Sequence, residues 1–376
     1  MSGAVAVAPG SAGAQDKQYV LINLLKAVAA QLIVLHHLAF YGPMADHARV
    51  LAPEVFDWLA GDARIAVQVF LVIGGFLAAK SLAPNGLPGV SHPLQAIVRR
   101  YIKLAPPFLV AMLLAIGASA LANMWMTHSS ISASPTFAQF SAHAVLIHDL
   151  LGYEALSAGA WYVAIDFQLY ALMVLLFSSC DYFASVRLRS WVMPIMMTAV
   201  VSSSLFFFNR EPSWDISAFY FVGSYGLGVF AWWASDPTRS SQTVNSLLSM
   251  LLLPTLAALA VDFRIRIATA LVVSFLLFIF GRSAPFASKG AKFLKTAGNI
   301  SYSVFLAHFP ICLVINAAFT RFVNVEPHLQ ALGVLTAWMA SIAIGALFHR
   351  WVERPLSRLF TIRGDKANTT GLLIKS

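Results

Sequence analysis

Apolar residues occur along this chain in long blocks that short polar stretches separate. The blocks are 17 to 23 residues long, and at ~1.5 Å per residue each one is long enough to cross a hydrocarbon layer of roughly 30 Å. Glycine, proline and charged residues set their ends. The pattern predicts an all-α polytopic bundle of about ten transmembrane helices, near residues 20–41, 62–83, 104–123, 160–177, 190–208, 216–234, 244–261, 265–281, 299–320 and 329–349.

The composition excludes an ordinary soluble domain. Hydrophobic residues make up 59% of the 376 positions and charged residues only 11%, whereas soluble domains carry about 25% charged residues. A net charge of +9 would suggest nucleic acid in a soluble protein, but here the basic residues collect at one set of helix ends. Alternating the connections puts 18 of the 25 Lys and Arg on the side of both termini and 6 on the other. The positive-inside rule then predicts cytoplasmic termini, and the chain is expected in a cytoplasmic (inner) membrane, with no nucleic-acid partner.

The two ends and one long connection differ from the apolar blocks. Residues 1–19 are rich in Ala, Gly and Ser and predict a disordered cytoplasmic tail without a cleaved signal. Residues 20–358 form one membrane domain, and residues 359–376 form a basic cytoplasmic tail. The connection 124–159 contains a short apolar piece at 136–151, which is expected to lie at the interface or to re-enter the membrane.

Ionisable residues inside the first span are candidates for function, because a charge in hydrocarbon costs several kcal/mol. This span contains Lys26, His36 and His37. Eleven steps of ~100° bring Lys26 and His37 to one helix face, ~16 Å apart along the axis. His36 points about 100° away from that face. Alternatively, Lys26 extends to the inner surface and the histidines only mark the outer interface.

Two later spans carry further candidates. Asp166 lies near the start of the fourth span, at a depth comparable with that of His37, and a carboxylate beside an imidazole can orient a general base. Alternatively, Asp166 caps the helix start or pairs with Arg64. His308 lies near the middle of the ninth span beside Pro310. It is either a reactive group or a structural group that forms a hydrogen bond across the bundle.

Six short strings, in order, resemble the acyltransferase 3 family of bacterial membrane proteins, which O-acylate sugars and other surface molecules. The resemblance covers residues 20 to 358. A basic residue and a histidine eleven positions later, Lys26 and His37, match the family's first helix. The other strings are Phe70–Phe76, Arg99–Pro107, Trp161–Tyr170, Ile300–Ser303 leading to His308 and Pro310, and Glu353–Pro355.

The resemblance implies transfer of an acyl group, usually acetyl, from cytoplasmic acyl-CoA as co-substrate to a hydroxyl of a glycan or lipid-linked sugar. His37 is then the general base or a transient acyl carrier. Lys26 stabilises charge on the donor or the developing oxyanion, and Asp166 and His308 are further catalytic candidates. The ~16 Å between Lys26 and His37 suits a pantetheine arm that enters from below. Arg99, Arg100 and Lys103 are expected to hold the CoA phosphates.

Several positions depart from the family's pattern. Lysine stands at 26 where arginine is commoner, and Lys103 replaces the second arginine of an Arg-x-x-Arg pair. Gln68 occupies a position that is often acidic, and Gly74 one that is often serine. Lysine lacks the forked geometry with which arginine grips a phosphate. The mode of donor binding therefore stays open.

Two other classes of function remain open at this stage. A transporter or exporter of a glycan or lipid would use the intramembrane His, Lys and Asp as a substrate or proton path. A non-catalytic partner in polysaccharide assembly would not need His37. The two cysteines, Cys180 and Cys312, give no disulfide framework, no metal-ligand spacing is present, and neither the acceptor nor the oligomeric state follows from the sequence.

Overall fold

The computed structural model of the protein describes residues 9–87, 89–183, 186–282 and 290–359. Over this part the chain is 82% helical and contains no strand. The helices are α1 (Pro9–Phe40), α2 (Pro43–Ala48), α3 (Pro53–Gly61), α4 (Val67–Leu82), α5 (Pro93–Asn123), α6 (Phe137–Ala144), α7 (Ala160–Phe183), α8 (Val186–Phe206), α9 (Ala218–Ser235), α10 (Ser241–Val261), α11 (Ile265–Arg282), α12 (Ala291–Phe322) and α13 (Pro327–Phe348), and a π-helical turn, His349–Glu353, follows α13. The predicted all-α class is confirmed.

Nine of the helices in the described part are long and apolar enough to cross a membrane, and they correspond to nine of the ten predicted spans. The predicted span 216–234 forms α9, an 18-residue helix. Most of its side chains are buried in the protein, so protein contacts surround it. The protein is therefore a multi-pass membrane protein.

The predicted tails fall mostly outside the described residues. Residues 1–8 and 360–376 are not described. The described part of the first tail is helical, since α1 begins at Pro9 and not near residue 20. The alanine-rich sequence there favours helix and allows it to continue beyond the apolar block.

The described part of the chain divides into two compact units, and the first comprises the described residues of Met1–Ala29, Ile65–Ala96 and Gln168–Asn299. Helices α4 and α9 pack closely in this unit. A Cβ atom added at Gly228 would overlap the carbonyl oxygen of Val72, and one at Gly75 would overlap that of Tyr225. Small residues at these positions let the two backbones touch, as is common between membrane helices. The hydroxyl of Ser224 donates to the side-chain oxygen of Gln68 at 2.6 Å in the same interface.

The second unit comprises residues 30–64, 97–167 and 300–376. Side chains from α1, α2, α12 and α13 form one of its hydrophobic clusters. The buried members are Val34, Leu38, Met44, Val304, Cys312 and Ala337. Helix α12 is continuous through Pro310. Lys26 belongs to the first unit. The second unit contains the other candidate residues, which are His37, His308, Asp166, Arg99, Arg100 and Lys103.

The long connection before α7 packs against α5 in the second unit. The hydroxyl of Tyr101 donates to the carbonyl of Ala144 at 2.7 Å. The rings of His143 and His148 are fully buried and stack with their centres 3.8 Å apart, with Phe108 beside both. Between the two histidines, Leu146 has φ of 60°, a left-handed conformation that strains a residue with a branched side chain. Tertiary packing therefore holds this turn.

Burial, together with the neighbouring imidazole of His143, lowers the pKa of His148 to about 3. An unfolded histidine takes up a proton near pH 6.5, so between about pH 6.5 and 3 the unfolded chain binds more protons than the folded one. Stability should therefore fall as the pH falls through this range. We expect His148→Phe, which keeps a stacking ring but cannot be protonated, to reduce the loss of thermal stability between pH 7.5 and 5 in detergent micelles.

The matched control for this prediction is His92→Phe. His92 is exposed just before α5, so its replacement should leave the pH dependence of thermal unfolding as it is in the wild type. An unchanged pH dependence in His148→Phe would contradict the assignment.

Candidate active site

His37 and His308 form a buried hydrogen-bonded pair in the second unit. Nδ1 of His37, near the end of α1, lies 2.6 Å from Nε2 of His308 on α12. The ring planes differ by 13° and the ring centres are 4.9 Å apart. The distance between the ring centres is larger than the N···N distance by about two ring radii, so the two nitrogens lie on the line that joins the centres. The rings therefore lie edge to edge in nearly one plane. The shared hydrogen therefore lies close to the N···N line, as a strong hydrogen bond requires.

A backbone contact fixes which nitrogens carry protons in the neutral pair. Nδ1 of His308 lies 2.7 Å from the carbonyl oxygen of Phe305, and a carbonyl can only accept, so this nitrogen carries the hydrogen. Nε2 of His308 is then an acceptor, and Nδ1 of His37 must donate to it. The lone pair of His37 is left on Nε2. A nitrogen with this lone pair can take a proton or attack a carbonyl carbon.

Aromatic and imidazole rings surround the pair. The rings of Tyr41 and Phe309 meet His37 edge-on, with centres 5.5 Å and 6.3 Å away. His36 turns to a different neighbour, as its angular position predicted, and its Nδ1 lies 2.9 Å from the carbonyl oxygen of Leu59 on α3. Of the two adjacent histidines, His37 is therefore the one that pairs with His308.

Asp166 lies beside Arg100. Its carboxylate accepts a hydrogen bond from the Arg100 guanidinium at 2.5 Å, and both side chains are largely buried. The expected partners, His37 or Arg64, were therefore wrong choices for this contact. Depth along a helix was the only basis for them, and depth does not tell which neighbouring helix a side chain faces.

The three cations predicted to hold CoA phosphates have different surroundings. Arg99 is exposed, and Arg100 is paired with Asp166. Lys103 interacts electrostatically with Arg100, Glu353 and Asp166. The cations thus do not all face one point, and two carboxylates already balance part of their charge.

Glu353, at the end of the π-helical turn, joins this group. Its Oε2 accepts hydrogen bonds from the hydroxyl of Ser303 and from Nδ1 of His349, the latter at 2.9 Å. The hydroxyl of Tyr302 on α12 donates to the carbonyl of Leu104 on α5 at 3.2 Å. Helices α5 and α12 therefore contact each other next to Ser303. The contact of Glu353 with Ser303 of α12 could not be read from the Glu353–Pro355 string.

The remaining predictions concern Lys26 and metals. Lys26 lies on α1 but in the first unit, and its role stays a prediction. Across the residues that the structure describes, no group of three or more His, Cys, Asp or Glu side chains is arranged to hold a metal ion.

Comparisons with known proteins agree with the resemblance. Residues 19–350 match the acyltransferase-domain family Acyl_transf_3. The chain is also similar to the regulator of hypoxia-inducible factor 1 from Caenorhabditis elegans, with 29% identity over 133 residues. That match covers 35% of this chain and 25% of the relative, so the chain spans about a quarter of that protein. No solved structure matches. Because the family covers nearly all of the chain, the protein belongs to the acyltransferase 3 family.

Proposed function

We propose that the protein transfers an acyl group, expected to be acetyl, from acyl-CoA to a hydroxyl of a surface glycan or a lipid-linked sugar. The observation that carries the proposal is the His37–His308 pair, in which the neutral tautomers leave a lone pair on His37 Nε2. The excess of Lys and Arg on one set of helix ends supports a bacterial cytoplasmic membrane with both termini inside. Acyl-CoA would then arrive from the side of the termini.

In the direct mechanism, the acceptor oxygen attacks the thioester carbonyl carbon while His37 Nε2 takes the hydroxyl proton. The C–O bond forms, the C–S bond breaks, and the proton passes from His37 to the thiolate sulfur to give free CoA. While His37 holds the extra proton, its Nδ1 proton can shift towards Nε2 of His308 and spread the positive charge over both rings. His308 is therefore a positioning residue that acts through His37. An acyl group carried transiently on His37 Nε2 would use the same lone pair.

The donor side of the proposal rests on the charged group of α5. Lys103 and the exposed Arg99 are the cations that we assign to the CoA phosphates. Arg100 is assigned to Asp166, which holds the guanidinium in place, and this pair would orient α5 and α7 at the donor entrance. Lys26 is proposed to stabilise negative charge on the acyl-CoA donor.

His37→Ala tests the central role. Loss of general-base catalysis typically costs about 10²–10⁴-fold in rate, so we expect acetyl transfer to fall at least that far while membrane insertion persists. The measurement follows CoA release from acetyl-CoA and labelled acetyl in membrane glycan. His47→Ala, at an exposed position of α2, is the control and should stay active. Retained transfer in His37→Ala would contradict the role of His37, and movement of an unmodified glycan across the membrane would favour a transporter.

His308→Gln and His308→Leu separate positioning from packing. A glutamine oxygen can still accept from His37 Nδ1 but cannot take up a second proton, and leucine can do neither. We therefore expect kcat to decrease in the order wild type, His308→Gln, His308→Leu, with little change in KM for acetyl-CoA because His308 does not contact the donor. Steady-state kinetics on variants of equal thermal stability give the measurement. Equal kcat in the two variants would contradict a hydrogen-bonding role.

Lys103→Gln tests the donor site. Loss of one charge-assisted contact to phosphate should raise KM for acetyl-CoA about tenfold, which corresponds to roughly 1.4 kcal/mol. The phosphate-free donor S-acetyl-N-acetylcysteamine should show no such increase. Lys292→Gln, at an exposed position in the first turns of α12, is the control. An equal increase in KM for both donors would show that Lys103 acts on the structure and not on phosphate.

A further inference from the structure

A tight turn at Tyr41 and Gly42 links the end of α1, the helix that carries His37, to α2. Gly42 has φ of 106°, which a residue with a side chain rarely adopts. A Cβ atom at Gly42 would also overlap the amide of Asn316 on α12. Glycine is therefore required at this position, and the turn lies directly against α12.

Asn316 clamps the turn from α12. Its Oδ1 accepts from the backbone N–H of Met44 at 3.2 Å, and its Nδ2 donates to the carbonyl of Tyr41 at 3.2 Å. The same Nδ2 donates to the carbonyl of Cys312, also at 3.2 Å. Asn316 is only 2% exposed, so losing one of these bonds would leave a buried polar group unsatisfied. The clamp consequently fixes Tyr41 relative to the helix that carries His308.

The ring of Tyr41 lies one helical turn beyond His37. Its ring plane is inclined by 64° to that of His37 and by 78° to that of Phe309, with ring centres 5.5 Å and 5.3 Å away. The side chain is only half-buried, and its hydroxyl has no hydrogen-bond partner among the described residues. Phenylalanine would supply the same packing without a polar group to satisfy. The hydroxyl of Tyr41 is therefore available to a ligand that lies beside His37.

We propose that Tyr41 forms the acceptor subsite and that its ligand is a sugar ring with several hydroxyls. A sugar presents C–H bonds on its faces and hydroxyls around its edge, and tyrosine offers an apolar ring together with one polar group. The ring of Tyr41 packs on the sugar face, its hydroxyl bonds one sugar hydroxyl, and another hydroxyl is presented to His37 Nε2. The inference rests on the proposed function and names the chemistry of its acceptor.

The test compares two acceptors supplied with labelled acetyl-CoA. Methyl β-D-glucoside has a sugar ring with free hydroxyls, whereas 1-butanol has a hydroxyl alone. The quantity compared is the ratio of kcat/KM for the glucoside to kcat/KM for butanol. We expect this ratio to fall about tenfold in Tyr41→Leu, which loses ring and hydroxyl, and less in Tyr41→Phe, which loses only the hydroxyl. Tyr153→Phe, in the connection before α7, is the matched control.

The outcomes separate this inference from the proposed function. A ratio that stays constant in both Tyr41 variants would overturn the subsite, as would wild-type acylation of butanol with none of the glucoside. Asn316→Ala, which frees the turn, should lower the same ratio. The test does not depend on the stability of this variant, because Tyr41→Phe nearly preserves the side-chain volume. Absence of CoA release with either acceptor or with membrane glycan would instead contradict the proposed function.

Discussion

Hydrocarbon offers no hydrogen-bond partner, so a polar side chain on a membrane helix has to find its partner within the protein. This constraint accounts for the main long-range contacts of the second unit. His37 bonds His308, Arg100 bonds Asp166, and Asn316 bonds the turn after α1. Each contact joins helices that are far apart in sequence. The same few polar groups therefore determine how the helices meet and which chemistry is available where they meet.

Much of the fold followed from the sequence, because the length and apolarity of a helix are local properties. The prediction fell short at α1, which begins before its apolar block. The helical period also placed His36 and His37 on different faces, and the structure agrees. A period gives the direction of a side chain from its own helix axis and gives no information about the helix that it meets.

The candidate site illustrates that limit. His37 and His308 are 271 positions apart, and the sequence identified each histidine but not their contact. A place beside His37 was one of the alternatives for Asp166, on depth alone, whereas its partner is Arg100. Asn316 gave no signal, since one asparagine in an apolar block is as often a packing residue. The ion pair also changes the electrostatics of the donor side, because the carboxylate offsets a charge that the sequence would have counted as available to phosphate.

The use of two imidazoles instead of an imidazole and a carboxylate has a consequence for synthesis of the protein. At ~5–20 residues per second, α1 waits on the order of tens of seconds for α12 to follow it from the ribosome. During that time His37 has no His308 to bond. A neutral imidazole tolerates the membrane in the meantime, whereas a carboxylate would face a far larger cost. The pair can thus be assembled late from two parts, neither of which brings a formal charge into the bilayer beforehand.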